Sequence, residues 1–294
     1  NASIDIKAEL IYTSQCILGE SPLWHAKRKC CFWVDIENGF LYEYNWVHQT
    51  TRNWKFNYRL TLVLQGKDDQ LILALDAKIA RFDLETEKVE WLADVETGSE
   101  TRCNDGAFDT LGRLWVGTMH LEHKKEAGGL YCIDADLKVQ KKIDNTTISN
   151  GIAWSLDNNR LYYIDSPTQA VQSFIFEEKT GEINFEKNVI SIPEKVGSPD
   201  GMSIDEEGML WIAHWGGFGL YRWNPRNGEL MSKIELPVPQ VSSCTFAGDN
   251  LEYLLITTAR ENMKEEELKR YPESGDIFCI KTDVKGVLPN VCRL

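Results

Sequence analysis

The sequence has no long apolar run. Its apolar stretches, residues 71–75 and 253–256 among them, are strand-sized and fall far short of the roughly 20 residues that cross a bilayer as a helix. A soluble chain is expected. No basic start followed by an apolar stretch opens it, so no secretory leader is read and the expected compartment is the cytoplasm. Positive charge is also scarce. Lys and Arg number 32 against 45 Asp and Glu, a formal net charge of −13, which repels phosphate backbones and anionic membrane surfaces and argues against nucleic acid or membrane as partners. There is no G-x-S-x-G nucleophile turn, no phosphate loop and no C-x-x-C pair. The eight cysteines lie mostly among apolar neighbours, as buried reduced thiols do. Of five histidines only His120 and His123 are close, a spacing that chelates zinc on a helix and is a solvated pair on a loop. His214 follows a strand and could reach a cavity or sit in the core.

What the sequence has in abundance is repetition. A polar or small residue followed by a small residue, an apolar strand, a polar turn and a second strand rich in Trp and β-branched residues recurs six times. The copies begin at residues 20, 62, 105, 150, 200 and 243, between 42 and 50 residues apart. A four-stranded propeller blade takes about 40–50 residues, so number and length both predict a six-bladed all-β propeller spanning residues 1–294 as one domain. Third strands are predicted over residues 39–44, 79–83, 129–133, 171–176, 219–223 and 275–280. The last copy is one strand short, whereas strand-like sequence over residues 4–12 precedes the first. The N-terminal strand is therefore expected to complete the last blade and remove its open edge. One helix-like insert, residues 261–270, is charged, lacks an apolar stripe and belongs on a surface loop.

The innermost strand of each blade runs beside the central channel, so the repeat brings Glu20, Leu62, Asp105, Asn150, Asp200 and Ser243 to one axis. Four of the six are carboxylates or amides, costly to gather in a narrow channel without a compensating charge. A divalent cation supplies that charge, and oxygen donors suit Ca²⁺, Mg²⁺ or Mn²⁺, with Zn²⁺ an alternative. The other reading is that Asn150-Gly151 and Asp200-Gly201 are turns, because such pairs are common turn signals.

Five segments carry a resemblance: residues 18–24 (LGESPLW), 102–106 (RCNDG), 112–119 (GRLWVGTM), 149–151 (SNG) and 198–202 (SPDGM). In this order, with residues 243–246 and 251–260, they cover nearly the whole chain. They resemble the senescence marker protein/gluconolactonase/luciferin-regenerating enzyme group of six-bladed propellers. The resemblance implies one divalent metal ion held by Glu20, Asn150 and Asp200, with Ca²⁺ first among the candidates. It further implies that Arg102 and Asn104 hold the substrate's oxygens, and that a substrate-facing glutamate falls near Glu122, with Glu126 close by in the same lid loop. Cys103 stands between the two substrate positions, and strand alternation turns it away.

The implied activity is hydrolysis of a sugar lactone to an aldonic acid, with the metal polarising the carbonyl and Asp200 acting as general base. Arg102 and Asn104 would orient the ring. A small-molecule lactone is the expected partner and a monomer or weak dimer the expected state. The alternatives are a phosphotriesterase-like or drug-response lactonase on the same metal cup, a calcium-binding regulatory protein without turnover, and a propeller scaffold that binds partners on its rim.

Overall fold

The computed structural model describes residues 7–294 and is a ring of six four-stranded antiparallel sheets. The inner strands, in blade order one to six, are Gly19–His25, Leu60–Gln65, Thr101–Phe108, Ser149–Trp154, Ser198–Ile204 and Val241–Ala247. Each lies against its two neighbours in cyclic order, and the first meets the sixth, closing the ring. All six third strands form within two residues of their expected bounds, for example Phe40–Asn45, Gly219–Trp223 and Ile277–Lys281. Among the described residues no helix is long and apolar enough to cross a membrane.

The sixth blade is completed by Glu9–Tyr12, whose Glu9 pairs with Cys279 and Leu10 with Phe278. The N-terminal strand thus closes the last blade as expected; residues 4–6 of that expectation lie outside the described residues. The charged insert contributes a shorter helix, Glu265–Arg270, with no buried residue.

Apolar strand residues pack between neighbouring blades. Trp33 and Trp115 are fully buried and Trp211 nearly so. Blades three and five repeat one device there: the Trp115 and Trp211 indoles donate to Asp109 and Asp205, each at 2.9 Å, and the same carboxylates accept from Arg113 and Arg222. Trp115 and Trp211 are therefore packing residues whose one polar atom is satisfied. All eight cysteines are buried and unpaired, and burial pushes their thiols up, Cys30 to about 11 and Cys132 to about 12. High thiol pKa makes them poor nucleophiles.

Every inner strand slips register where its axial residue sits, between Glu20 and Leu23, Leu60 and Leu62, Cys103 and Gly106, Ser149 and Ile152, Pro199 and Met202, and Val241 and Ser243. Such bulges re-aim side chains that regular pleating would bury in the blade. Asn150-Gly151 and Asp200-Gly201 are strand residues, not turns. Their glycines serve close approach: a Cβ on Gly201 would stand 2.0 Å from Ser243 Oγ, and one on Gly151 would stand 2.6 Å from Met202 Cβ.

Inner strands begin at what we term the upper mouth of the channel and end at the lower mouth. Beyond Ile277–Lys281 the chain crosses the lower mouth as a strap. Gly286 N–H donates to Leu251 O in blade six at 2.8 Å, and Glu206 N–H in blade five donates to Lys285 O at 2.9 Å. On the far side, Asn290 Nδ2 donates to Phe108 O at 3.0 Å, and Cys292 and Leu294 bury in the core around Phe108 and Leu114.

Candidate metal and substrate site

Glu20, Asn150 and Asp200 open the inner strands of blades one, four and five, and all three side chains are buried near the upper mouth. The strands that carry the first two are aligned by one device used twice. Asp35 accepts from the Ile17 and Leu18 N–H groups at 3.1 and 3.0 Å, and Asp165 accepts from Thr147 and Ile148 at 3.1 and 2.8 Å. In each case a buried carboxylate grips the backbone two residues before the axial side chain.

A chain of hydrogen bonds then runs around half of the cup. Arg102 Nη1 donates to Asn104 Oδ1 at 2.9 Å, and Asn104 Nδ2 donates to Asn150 Oδ1 at 3.1 Å and to Ser149 O at 2.7 Å. Asn150 Nδ2 donates to Ser166 Oγ, and Ser166 Oγ donates to Pro199 O, both at 2.6 Å. Pro199 precedes Asp200. These bonds fix the amide orientation of Asn150, presenting its carbonyl oxygen to Asn104 and the cup. Ser166 was not singled out in the sequence; its only signal is its place after Asp165 at the end of a second strand.

The electrostatics of the cup are those of crowded acids. Burial raises the Glu20 carboxyl well above the ordinary range, and the nearby Asp200 and Asp105 carboxylates raise it further. Burial pushes Asp200 up to about 8 and Asp105 to about 6. Asp200 Oδ1 is buried with no hydrogen-bond partner, an arrangement that costs roughly 1–3 kcal/mol if nothing satisfies it. Asn150 adds a neutral oxygen, so the donor set is two carboxylates and an amide carbonyl, the chemistry of a hard divalent cation. The residues present fit such an ion. Among the described residues no three His, Cys, Asp or Glu side chains converge on one ion; the third oxygen comes from an amide, and Asp105 is near enough to act on the Glu20 and Asp200 charges without completing such a cluster.

A family model for the SMP-30/Gluconolactonase/LRE-like region matches residues 18–260. The chain belongs to that family. Its SMP-30/gluconolactonase/LRE-like relatives include regucalcin of Oryctolagus cuniculus, 33% identical over 291 residues that cover 97% of each chain. YvrE of Bacillus subtilis, named for an expected sugar lactone lactonase activity, is 31% identical over 277 residues, 94% of this chain and 95% of that protein. Among solved structures, a calcium-binding regucalcin from Agrobacterium tumefaciens superposes with a TM-score of 0.94 at 25% identity, covering 98% of both chains.

Around the cup of this SMP-30/gluconolactonase/LRE-like chain, the upper mouth is charged. Arg102 is buried, and burial lowers its pKa while Glu37, Glu261 and Glu20 oppose that shift. Burial raises Glu261, and the neighbouring Glu37 adds to it. Glu122 and Glu126 are both exposed on the loop after Leu114–His120. Their backbone N–H groups donate to His120 Nδ1 and Thr147 Oγ1 at 3.0 Å each, which shapes the loop. His123 is the loop residue whose pKa registers Arg102, lowered by burial first and by that guanidinium second. Cys103 is fully buried in the core between blades two and three, turned away from the cup. His214 is also fully buried, stacked on Tyr221 at 3.7 Å between ring centroids, with Nδ1 at 2.9 Å from Val196 O and Nε2 accepting from Trp223. Burial lowers it to about 4. It is a neutral, satisfied core residue.

Proposed function

We propose that the chain is a divalent-metal-dependent sugar lactone hydrolase that opens an aldonolactone to its aldonic acid. The observation that carries this reading is the buried, unpartnered Asp200 Oδ1 beside Glu20 and Asn150, with Arg102 and Asn104 hydrogen-bonded to the same constellation. Glu20, Asn150 and Asp200 hold the ion, Ca²⁺ by donor type, with Mg²⁺, Mn²⁺ and Zn²⁺ the other candidates. When bound, the ion supplies Lewis-acid polarisation of the lactone carbonyl and positive charge opposite the developing oxyanion.

The protein's own groups do the rest. Asp200 accepts the proton of the attacking water, whose oxygen bonds to the carbonyl carbon; the bond from that carbon to the ring oxygen breaks, and the ring oxygen takes the proton back from Asp200 and leaves as a hydroxyl. Arg102 and Asn104 orient the sugar through its oxygens, and the loop bearing Glu122 and Glu126 covers the upper mouth. The eight unpaired thiols suit a reducing compartment, and we place the protein in the cytoplasm as a monomer or weak dimer. The test is hydrolysis of gluconolactone and a pentonolactone by the chelator-stripped protein, before and after restoring each ion. Turnover should depend on the ion and vanish in Asp200→Ala; an active Asp200→Ala protein would refute the assignment. A calcium-binding protein without turnover, the reading the regucalcin relatives favour, would bind the ion and hydrolyse no lactone in the same assay.

A further inference from the structure

Below the cup, away from the lid loop, the channel widens into a cavity of about 490 Å³. Leu23, Phe108, Ile152, Met202 and Phe246 contribute its apolar wall, and residues 287–292 of the strap form its floor. The cavity reaches the surface beside the exposed Ala26 and Leu156. Two of its hydroxyls are already spent. Ser21 Oγ accepts from Val63 N–H at 2.9 Å and donates to Val63 O at 3.2 Å, and Ser203 Oγ donates to Cys244 O at 2.7 Å.

Asp105 is different. It is the one carboxylate of the axial trio that lines this cavity; Glu20 and Asp200 do not. It accepts one hydrogen bond, from the Gly106 N–H at 2.8 Å, and makes no ion pair among the described residues. It also does not converge with Glu20 and Asp200 on a single ion. Glu20 and Asp200 balance the charge of one divalent cation, which leaves the Asp105 charge on the cavity side. A concave site of roughly 300–1,000 Å³ with an apolar wall and one fixed charge is the usual make-up of a small-molecule pocket. An apolar body fills the wall, and a cationic head answers the carboxylate at short range, where low dielectric strengthens the pair.

We propose that this lower chamber is a second binding site, for a small protonated amine with an apolar body, its ammonium seated at Asp105. The charge count rests on the metal reading above; the chamber and its singly hydrogen-bonded carboxylate do not. The experiment uses the metal-loaded full chain and calorimetric titration with three probes of one shape: phenethylammonium, 2-phenylethanol and phenylacetate. The ammonium should bind once per chain, roughly tenfold or more tighter than the alcohol, as a charged hydrogen bond implies, and phenylacetate should not bind. Asp105→Asn, checked for retained metal content, should erase the preference for the cation. Thr245→Phe, at a half-exposed lining position, should block the ammonium and the alcohol alike. Equal affinity for ammonium and alcohol, unchanged binding to Asp105→Asn, displacement of the amine by gluconolactone, or no binding at all would overturn the proposal. Lactone hydrolysis is assayed alongside. Asp105-dependent amine binding in a chain that hydrolyses no lactone would remove the lactonase reading and leave the chamber standing.

Discussion

At the scale of single residues, the cup is a place where unlike demands meet. Glu20 and Asp200 are held so close and so deep that neither ionises readily in the metal-free chain, Asp200 titrating only at about 8. Between the ordinary carboxylate range near pH 4 and that value, the folded chain binds more protons than the unfolded one. Its stability is therefore highest at the acid end of the window and declines as pH rises through the folded pKa. In chelator, the denaturation midpoint should fall from about pH 5 to about pH 9, and saturating Ca²⁺ should flatten that slope; a midpoint that climbs with pH in chelator would count against the crowded pair. Asp200→Asn removes the repulsion and should stabilise the stripped protein while weakening the ion. Ser166 acts through Asn150, and Ser166→Ala should lower metal affinity by about 10–100-fold, the effect typical of groups that orient a ligand, with Ser166→Thr restoring part of it. His214→Ala should cost about 2–4 kcal/mol by emptying a stacked, buried site, seen as a lower denaturation midpoint with unchanged kcat.

At the scale of strands, the inner strands bulge where they meet the axis, and this explains what could be read in the amino-acid order. The six copies, their lengths and the closing strand are legible because blade packing imposes a repeating pattern of Trp, β-branched and small residues. The pairs Asn150-Gly151 and Asp200-Gly201 are ambiguous in the same order, since a turn and a tightly packed strand both favour glycine. Only the neighbouring blade decides, through contacts such as the one between Gly201 and Ser243. Gly201→Ala should therefore destabilise the fold and reduce metal affinity together, because the strand that must shift carries Asp200; an unaltered melting temperature would contradict the tight packing. Asp35, Asp165 and Ser166 escaped notice for a related reason. Their partners are backbone atoms 17 or 18 residues away for the two aspartates and 33 for the serine, and no local pattern marks such bonds. The strap over the lower mouth is aperiodic, so nothing in its composition announces where it runs. Glu122 and Glu126 remain exposed on a loop whose backbone, rather than its carboxylates, supplies the visible contacts.

At the scale of the whole molecule, the ring depends on a short seam. Glu9–Tyr12 contributes the outermost strand of a blade whose other three strands come from the opposite end of the chain. Removing residues 1–12 should leave the edge of Ile277–Lys281 unpaired, lower the melting temperature and promote self-association, both measurable by calorimetry and light scattering. A truncated chain that melts and sediments like the full one would show that the seam contributes little. Because Glu9 pairs with Cys279, this strand finds its partner only after the residues between the two have been made. Blades one to five can take shape before the ring closes, and closure waits for Ile277–Lys281. The cup needs residues from blades one, four and five on one axis, so a nascent chain cannot assemble it before the fifth blade emerges. Until then the metal cannot favour the native arrangement over any other.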